Sequence, residues 1–315
     1  MLSALLTTAA TGCVTVHGET KLRPAATKTE AARVLEEFTN DNNKANRTLD
    51  RGLNREIETG PLGAIDQAGL KARKKQNPNG NPDYTPLELT DPKYLIPKQA
   101  GWPRWFVADA RANRPSADTK NRWLVLFEKK AEGKPWKAAY LSVMQPGELP
   151  DLARDKDGYV KPVEPGPEER LSTPVPDLDT SYVNYLKSGG KNPGFAPGQH
   201  TTQWVEERKK QAKQPGYVTQ FRDTPAAGFA TYALRTRDGG ALAFFSTRHF
   251  AKQTVAPGRT IRLDGVVKAL LTGEAKRSVT LEWVSEQAVL VPKKGKKGDV
   301  EFLNRIQGLV GAKGE

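Results

Sequence analysis

The chain has 315 residues, 37% of them hydrophobic, and a formal net charge of +13 from 49 lysines and arginines against 36 acidic residues. This length suffices for two domains of ordinary size, and a mean hydropathy of −0.63 argues against a membrane-spanning segment. The charge favours anionic phospholipid headgroups or wall polymers as neighbours. We expect no nucleic-acid partner, because interleaved basic and aromatic residues are absent and many lysines have acidic neighbours.

Cys13, the only cysteine, follows a short apolar run over residues 2–12. Ala10, Thr11 and Gly12 place small side chains before it, as a signal peptidase requires. This arrangement resembles a bacterial lipobox, which implies that a signal peptide is removed and that Cys13 receives fatty acyl chains such as palmitate. We therefore expect a lipid anchor on Cys13 at the extracytoplasmic face of the cell membrane.

The N-terminus departs from the lipobox pattern in one respect. Lipobox signals carry a basic residue before the apolar run, but the first basic residue of this chain is Lys21. We interpret Met1 as a truncated or misassigned start. The alternative is an ordinary cytosolic N-terminus with an unrelated cysteine.

The first half of the chain predicts a tether and then an α+β domain over residues 27–145. Residues 14–26 lack periodicity and form the tether. Thr27 and Glu30 match a capping box, and the apolar spacing after them predicts an amphipathic helix through Ala31, Val34, Leu35 and Phe38. A second helix is expected over residues 64–74.

Three strands follow in this domain, over residues 104–109, 122–129 and 136–144. The last two predict an antiparallel hairpin, since Gly133 lies between them. The middle strand has apolar residues on both faces, which indicates a helix on one side and a sheet or cavity on the other.

Residues 146–177 are rich in proline and predict a semi-rigid linker. A second α+β domain is expected over residues 178–292, opening with a helix capped by Asp179 and a helix over residues 202–213. The chain predicts a further helix over residues 264–271.

Strands in the second domain are predicted around the turn Asp238-Gly239, which suits a two-residue hairpin loop. That register places Tyr232 opposite Phe245. A last strand pair is expected over residues 278–284 and 287–291. Residues 293–315 predict a basic linker and an amphipathic C-terminal helix capped by Asp299.

The predicted fold class is α+β, with two domains joined by the Pro-rich linker and each built from helices packed on a curved antiparallel sheet. This order of elements resembles the cone-shaped nuclear-transport-factor-2-like fold, which implies a pocket between helices and sheet. Such a likeness of fold does not decide function.

A closer resemblance is carried by four segments: Gly12–Glu19, Pro86–Asp91, Gly101–Ala108 and Thr247–Thr254. Through them the chain resembles a family of uncharacterised actinobacterial lipoproteins over nearly its whole length. The family has no assigned activity, so the resemblance implies location and architecture without a site.

Catalytic and metal-binding patterns are weak. His17, His200 and His249 lack partners at metal-ligand spacing, and no phosphate-binding glycine loop follows a strand. We therefore expect neither a metal nor a cofactor. His249 shares a strand face with Phe245 and is a weak acid–base candidate if that face lines a pocket. The alternative is a hydrogen-bonded residue of the sheet.

Aromatic side chains offer a candidate binding surface, formed by Trp102, Trp105, Tyr232 and Phe245. The alternative is that they anchor the core. We interpret the protein as an anchored, non-enzymatic binding or interaction lipoprotein of the cell envelope. The alternative is an envelope enzyme that uses a conical pocket with His249 as acid or base.

Overall fold

The computed structural model describes residues 21–114, 121–145, 147–164, 166 and 169–315, so Cys13 and His17 lie outside the described residues. The helices are α1 (Lys28–Thr48), α2 (Arg51–Ile57), α3 (Gly60–Gln76), α4 (Leu178–Lys187), α5 (Trp204–Gln211) and α6 (Gly265–Leu270). The strands are β1 (Arg23–Pro24), β2 (Leu89–Leu95), β3 (Lys98–Gln99), β4 (Arg104–Ala112), β5 (Arg122–Lys129), β6 (Lys137–Met144), β7 (Lys213–Gln214), β8 (Tyr217–Pro225), β9 (Tyr232–Arg235), β10 (Ala241–Val255), β11 (Leu271–Thr272), β12 (Ser278–Val291) and β13 (Glu301–Gly314).

The strands form two main sheets. The first has four antiparallel strands in the order β2-β4-β5-β6. The second has seven strands in the order β11-β13-β12-β10-β8-β7, with β9 also paired to β10, and only β11 and β13 run parallel. The prediction of helices with antiparallel sheets is confirmed. The likeness to the nuclear-transport-factor-2-like fold stays a hypothesis.

The sheets pack face to face, with helices on both outer sides. On one side, Phe38 of α1 meets Phe127 of β5 edge-on at 5.4 Å between ring centroids. Between the sheets, Leu126 of β5 belongs to the same buried cluster as Phe244 of β10. On the other side, Tyr182 of α4 meets Phe245 at 6.1 Å. Both faces of β5 are therefore buried, as predicted.

The two predicted domains share a core. One apolar cluster joins Leu126 from the first half, Leu152 from the predicted linker and Phe244 from the second half. The linker is not a free spacer, because its backbone hydrogen-bonds to β9 through Ala153 N and Arg235 O at 2.8 Å. Proline-rich segments bury apolar residues without a regular period, so the sequence did not reveal this packing. Two separately packed domains are not confirmed.

The predicted hairpin exists, but its register is wrong by one residue. Gly239 has φ of +88° and its N–H bonds to Thr236 O at 3.1 Å, while Thr236 N bonds to Gly240 O at 3.0 Å. The loop therefore has three residues instead of two, a common alternative for hairpins. Tyr232 lies opposite Phe244, and Phe245 points to the other face of the sheet.

The predicted C-terminal helix is wrong, because residues 301–314 form β13 along the edge of β12. Glycine is a poor helix former, and this segment contains Gly308, Gly311 and Gly314. Gly308 also permits a close approach to α3, since a Cβ there would lie 2.4 Å from Ile65 Cγ2. Residues 301–314 therefore pair with β12 as a strand, although the spacing of their apolar residues also fits a helix.

The predicted strand pair over residues 278–284 and 287–291 is also wrong. One continuous strand, β12, covers both segments. Ser285 and Glu286 look like turn residues in the sequence, but both are at most 1% exposed. Their side chains have partners, since Ser285 Oγ contacts His249 and Glu286 Oε2 accepts from Leu141 N at 3.1 Å.

The N-terminal elements agree in part with prediction. Thr27 caps α1 by accepting from Glu30 N at 3.0 Å, whereas the Glu30 carboxylate accepts from Trp136 Nε1 at 2.8 Å instead of closing a capping box. The helix predicted over residues 64–74 lies within α3. The end of the predicted tether is part of the fold, because β1 pairs with β3.

Candidate functional site

A cavity of about 290 Å³ lies between α1, α3 and the side of the four-stranded sheet that faces the helices. Helical spacing builds it, since Phe38, Asn42 and Asn46 are four residues apart and project from one face of α1. The sheet contributes Trp123 and Val125, two residues apart on one face of β5. The helices and their junction supply five polar lining residues: Asn42, Asn46, Glu58, Asp66 and Arg73.

An amide chain fixes one wall of the cavity. Arg73 Nη2 donates to Asn46 Oδ1 at 3.1 Å, and Asn46 Nδ2 donates to Asn42 Oδ1 at 2.8 Å. The two asparagines are 9% and 8% exposed, so these bonds satisfy groups that water reaches poorly.

Two half-buried side chains complete the lining. Arg114 Nη2 donates to Tyr84 Oη at 3.0 Å, and Tyr84 Oη donates to Asn43 Oδ1 at 2.9 Å. The guanidinium also lies over the Tyr84 ring at 5.6 Å. These contacts place a second positive charge at the cavity in addition to Arg73.

Glu58 and Asp66 put two carboxyl groups into the cavity wall. Glu58 follows α2 and is 4% exposed, and its carboxyl group lies within hydrogen-bond reach of the Asp66 carboxyl group. Burial raises the pKa of Glu58 well above its usual value, and the charge of Asp66 adds to this effect. Burial also raises the pKa of Asp66, although Arg73 opposes it.

A third carboxyl group, Glu286 of β12, is buried close to this pair, and burial raises its pKa well above the usual value. Its contact with Leu141 N joins the two sheets beside the cavity. Within the described ranges, no group of three or more histidine, cysteine or acidic side chains could hold a metal ion. The polar groups in the cavity lining are carboxyl, amide, hydroxyl and guanidinium groups.

The structure places His249 in a different cluster, on the seven-stranded sheet. His249 Nδ1 lies 2.6 Å from Asp223 Oδ1, directly across from it on β8. Arg208 of α5 binds the same carboxylate with two bonds of 2.7 and 2.8 Å. Burial lowers the pKa of His249 to about 4, so the imidazole is neutral at pH 7 and its Nδ1–H donates to Asp223.

The second imidazole nitrogen of His249 also has partners. Nε2 lies 2.8 Å from Ser285 Oγ and 2.9 Å from Thr247 Oγ1. This order of serine, histidine and aspartate occurs in nucleophilic enzymes. However, His249, Asp223 and Ser285 are 1%, 4% and 0% exposed, so a substrate does not reach them. The arrangement is that of the alternative stated for His249, a hydrogen-bonded sheet residue.

The four predicted aromatic residues do not form one surface. Trp102 is 37% exposed, whereas Trp105, Tyr232 and Phe245 are at most 8% exposed. Trp105 and Tyr232 pack together at 5.2 Å between centroids, and Phe245 lies in the cluster on the other face of its sheet.

Sequence reasoning missed the cavity residues. Asn42 and Asn46 continue the apolar spacing of α1 at positions where a core residue is expected, and this substitution of polar for apolar residues was the available signal. Glu58 and Asp66 gave no comparable signal, because their proximity depends on how α2 joins α3.

Comparison with known proteins shows to which family the sequence belongs. Residues 22–314 match the family described as Domain of unknown function (DUF8094). The chain belongs to the DUF8094 family. It is 46% identical to an uncharacterised lipoprotein of Streptomyces coelicolor over 316 residues, which covers 99% of this chain and 93% of the relative. The resemblance to uncharacterised actinobacterial lipoproteins is confirmed.

Two further relatives carry the same description. This DUF8094 chain is 46% identical to an uncharacterised lipoprotein of Streptomyces avermitilis over 98% of its own length and 92% of the relative. A second uncharacterised lipoprotein of S. coelicolor is 28% identical over 92% of this chain and 86% of the relative. The homologues are therefore lipoproteins, which implies membrane anchoring. Among the described residues, no helix is long and apolar enough to cross a membrane.

Proposed function

We propose that this DUF8094 protein is an extracytoplasmic lipoprotein, anchored through Cys13, that binds a small ligand in the cavity beside α1 without transforming it. The observation that carries the binding role is the cavity of about 290 Å³, whose wall combines apolar side chains with the carboxyl groups of Glu58 and Asp66 and the guanidinium groups of Arg73 and Arg114. Concave sites that combine apolar walls with a few convergent polar groups and shifted pKa values are typical ligand sites.

Anchoring is supported by the names of the relatives and by the position of Cys13 after small residues. Two acyl chains are enough for stable attachment, because each buried methylene contributes about 0.8 kcal/mol. Replacing Cys13 by serine should move the protein from the membrane fraction to the soluble fraction. Processed Cys13→Ser protein that stays with the membrane would contradict this mode of attachment.

The net charge of +13 supports a secondary contact with anionic envelope polymers or headgroups. The basic residues of the predicted linker lie in the turn between β12 and β13, where Lys293, Lys294, Lys296 and Lys297 follow one another closely. Such a contact should weaken steeply between 50 and 500 mM salt, a range chosen because charge screening increases across it.

The binding role is tested with ligand-observed NMR and a small-fragment library. Asn42→Phe should fill the cavity and abolish fragment binding, whereas Asn40→Phe, the same change at an exposed position of α1, should retain it. Asp66→Asn replaces a carboxyl group in the cavity wall by an amide of the same size. Equal binding by all four proteins would place the ligand elsewhere, and product formation from cell-wall fragments would contradict the non-enzymatic role.

The alternative of an envelope enzyme that uses His249 receives no support from the geometry, since that side chain is 1% exposed. Acid or base chemistry by His249 would require α4 and α5 to leave the sheet. The ring contacts of His249 with Tyr182 at 6.5 Å and with Trp204 at 6.1 Å hold both helices in place.

A further inference from the structure

An apolar side chain is exposed where the described part of the chain begins. Leu22 is 61% exposed, the highest value for a large apolar side chain among the described residues. It precedes β1, whose antiparallel pairing with β3 brings Leu22 level with Ala100. Trp102 follows in the connection between β3 and β4 and is 37% exposed. Two exposed apolar side chains therefore lie near the point at which the segment from Cys13 joins the fold.

Basic side chains surround Trp102. The Arg104 guanidinium lies over its ring at 4.7 Å from the centroid, and Lys129 Nζ lies at 5.9 Å. Lys129 is opposite Arg104 in the pairing of β4 with β5, so the turn after β5 is at the same end of the sheet. That turn adds two exposed lysines, Lys130 and Lys134. The Trp102 surface, as we name it, consists of Leu22, Trp102, Arg104, Lys129, Lys130 and Lys134.

The Trp102 surface has a net positive charge. Three acidic residues lie among its cations: Glu30, Glu128 and Glu132. The first two of these each contact one lysine of the surface, at 3.9 and 4.0 Å. Lys21 and Arg23 add two further positive charges next to the exposed leucine. Six basic residues are therefore present at this end of the molecule with three acidic ones.

Tryptophan, leucine and basic residues on one surface suit a membrane interface. The indole ring has an apolar body and a polar N–H, and tryptophan is enriched at the level of lipid headgroups. Lysine and arginine place their charges in water while their stems contact apolar groups, and anionic lipids attract clusters of such charges. Single exposed apolar residues are common on proteins, so it is their combination with the cations that indicates a lipid surface.

The short segment before the fold keeps the Trp102 surface near any bilayer that holds Cys13. Only residues 14–20 separate Cys13 from Lys21, and each extends the chain by at most about 3.5 Å. A lipid on Cys13 therefore brings this end of the molecule to the headgroups, whereas the opposite end lies farther away.

From these observations we infer that the Trp102 surface lies on the bilayer that anchors the protein. Leu22 and Trp102 enter the headgroup layer, and the basic side chains contact the phosphates of anionic lipids. This inference rests on the proposed anchoring through Cys13. The lipid then holds the protein at the membrane, and the Trp102 surface determines which side of the protein faces the bilayer.

The far end of α3 provides positions for matched controls. This helix begins beside the Trp102 surface, since Gly60 and Pro103 line one shallow cavity. It ends about 24 Å farther along its axis, at 1.5 Å per residue. There Lys75 Nζ donates to Lys268 O of α6 at 3.5 Å. Val266 of α6 is 42% exposed, so it is an accessible apolar position at the end away from the proposed membrane contact.

Fluorescent labels at the two ends measure the orientation of the protein. Ala100→Cys and Val266→Cys are each labelled with nitrobenzoxadiazole in the full lipidated chain. The protein is reconstituted into vesicles of equal parts phosphatidylglycerol and phosphatidylcholine, with or without a lipid that carries a spin label on its headgroup. The spin-labelled lipid should reduce the fluorescence of the label at position 100 at least twofold and should leave the label at position 266 unchanged.

Variants of the Trp102 surface show which side chains maintain this orientation. In the chain labelled at position 100, Lys130→Glu with Lys134→Glu should remove at least half of the quenching, and Trp102→Ser should do the same. Lys71→Glu with Lys268→Glu makes the same change of charge at exposed positions of α3 and α6, and it should leave the quenching unchanged. Circular dichroism of each variant shows whether the fold is retained.

The outcomes distinguish this inference from the proposed anchor. Equal quenching at positions 100 and 266, in protein whose Cys13 carries lipid, overturns the inference and leaves the anchor in place. So does binding of soluble polyphosphate that Lys130→Glu with Lys134→Glu abolishes, if position 100 is not quenched, because the surface then binds an anionic polymer. If Cys13 carries no lipid and the protein does not float with the vesicles, both proposals fall.

Discussion

The cavity beside α1 and the cluster around His249 both bury ionisable side chains, but they differ in how those side chains are bonded. Around His249, both imidazole nitrogens and both oxygens of Asp223 have partners within 2.9 Å. In the cavity wall, the carboxyl groups of Glu58 and Asp66 lie within hydrogen-bond reach of each other, and burial raises the pKa of both.

This difference separates a structural cluster from a candidate site. The residues of the His249 cluster tie α5 to the seven-stranded sheet. The two cavity carboxyl groups lie instead in the wall of a space of about 290 Å³. A histidine in a sequence attracts attention as a catalytic residue, yet here the candidate cavity is lined by two acidic residues that belong to no motif.

The largest effect is expected from removing the Asp223 carboxylate. Asp223→Ala leaves the Arg208 guanidinium buried without its ion pair and His249 Nδ1 without an acceptor. Breaking a buried pair in this way typically destabilises a protein by about 3–5 kcal/mol. Urea denaturation at pH 7 measures the change in the free energy of unfolding.

An exposed ion pair provides the control for this substitution. Lys276 and Glu274 are in contact at 2.6 Å, but their side chains are about three-quarters exposed. Glu274→Ala should change the free energy of unfolding by less than about 1 kcal/mol. A similar small change for Asp223→Ala would show that the His249 cluster does not hold the fold together.

The next effect is a loss of stability in acid that depends on His249. Its pKa is 6.5 when unfolded and is lowered to about 4 by burial in the fold. Between these values the unfolded state binds a proton that the folded state does not, so stability is lost as the pH falls from 6.5 towards 4. The contribution is at most about 3 kcal/mol.

His249→Asn isolates this contribution, because the amide keeps a donor for Asp223 but does not titrate. Denaturation at pH 7.0, 5.5 and 4.5 (conditions chosen to span the window) should show a smaller acid loss for the variant than for the natural protein. Parallel pH profiles would mean that His249 does not control the acid response. Asp223 contributes to the loss of stability in acid at lower pH. Burial alone would raise its pKa, but hydrogen bonds from His249 and Arg208 lower that pKa to about 2.

The cavity acids should respond in the opposite direction. The folded pKa of Glu58 lies above its unfolded value of about 4.5, so the natural protein loses stability as the pH rises above that value. Glu58→Gln cannot ionise. We expect its stability to be within about 1 kcal/mol of the natural protein at pH 5, and to improve relative to it at pH 8.

The exposed Glu56 provides the comparison, since Glu56→Gln should show no pH-dependent difference from the natural protein. Urea midpoints at pH 5 and pH 8 are sufficient to measure both variants. If Glu58→Gln differs from the natural protein by the same amount at both pH values, the Glu58 carboxyl group is already ionised in the fold, and burial does not raise its pKa.

Much of the fold follows from local pattern. The helix after Thr27 and the strand Arg122–Lys129 were predicted because their apolar residues have a regular period and their ends carry clear signals. The strand β13 was not predicted. Leu303, Ile306 and Val310 fit helical spacing, and only pairing with the neighbouring edge of β12 makes this segment a strand. The shared core through Leu152 was missed, since its residues lie far apart in sequence.

The candidate site was harder to predict than the fold. A cavity forms where neighbouring helices and strands leave space between their side chains. Its position therefore cannot be predicted from any single segment of the sequence. Its wall combines α1, the junction of α2 and α3, and β5, so the carboxyl pair is a property of packing. His249 was predicted as a candidate from its residue type, whereas its burial depends on α4 and α5.

The pairing of β1 with β3 sets the reach of the proposed anchor. If Cys13 carries the lipid, only residues 14–22 separate it from the first strand, and even fully extended they span at most about 30 Å. A compact chain of this size has a radius of gyration of roughly 20 Å, which corresponds to a diameter of about 50 Å. With the lipid on Cys13, the tether would therefore be shorter than the protein is wide, and the protein would stay beside the bilayer.

The cavity lies farther along α1 than that attachment point. Asn42 is about 22 Å from Thr27 along the helix axis, at 1.5 Å per residue. If Cys13 carries the lipid and the cavity binds a ligand, the tether and the helix together limit how far from the membrane that ligand is bound. Lengthening the segment before Arg23 with glycine and serine residues would raise that limit without altering the fold.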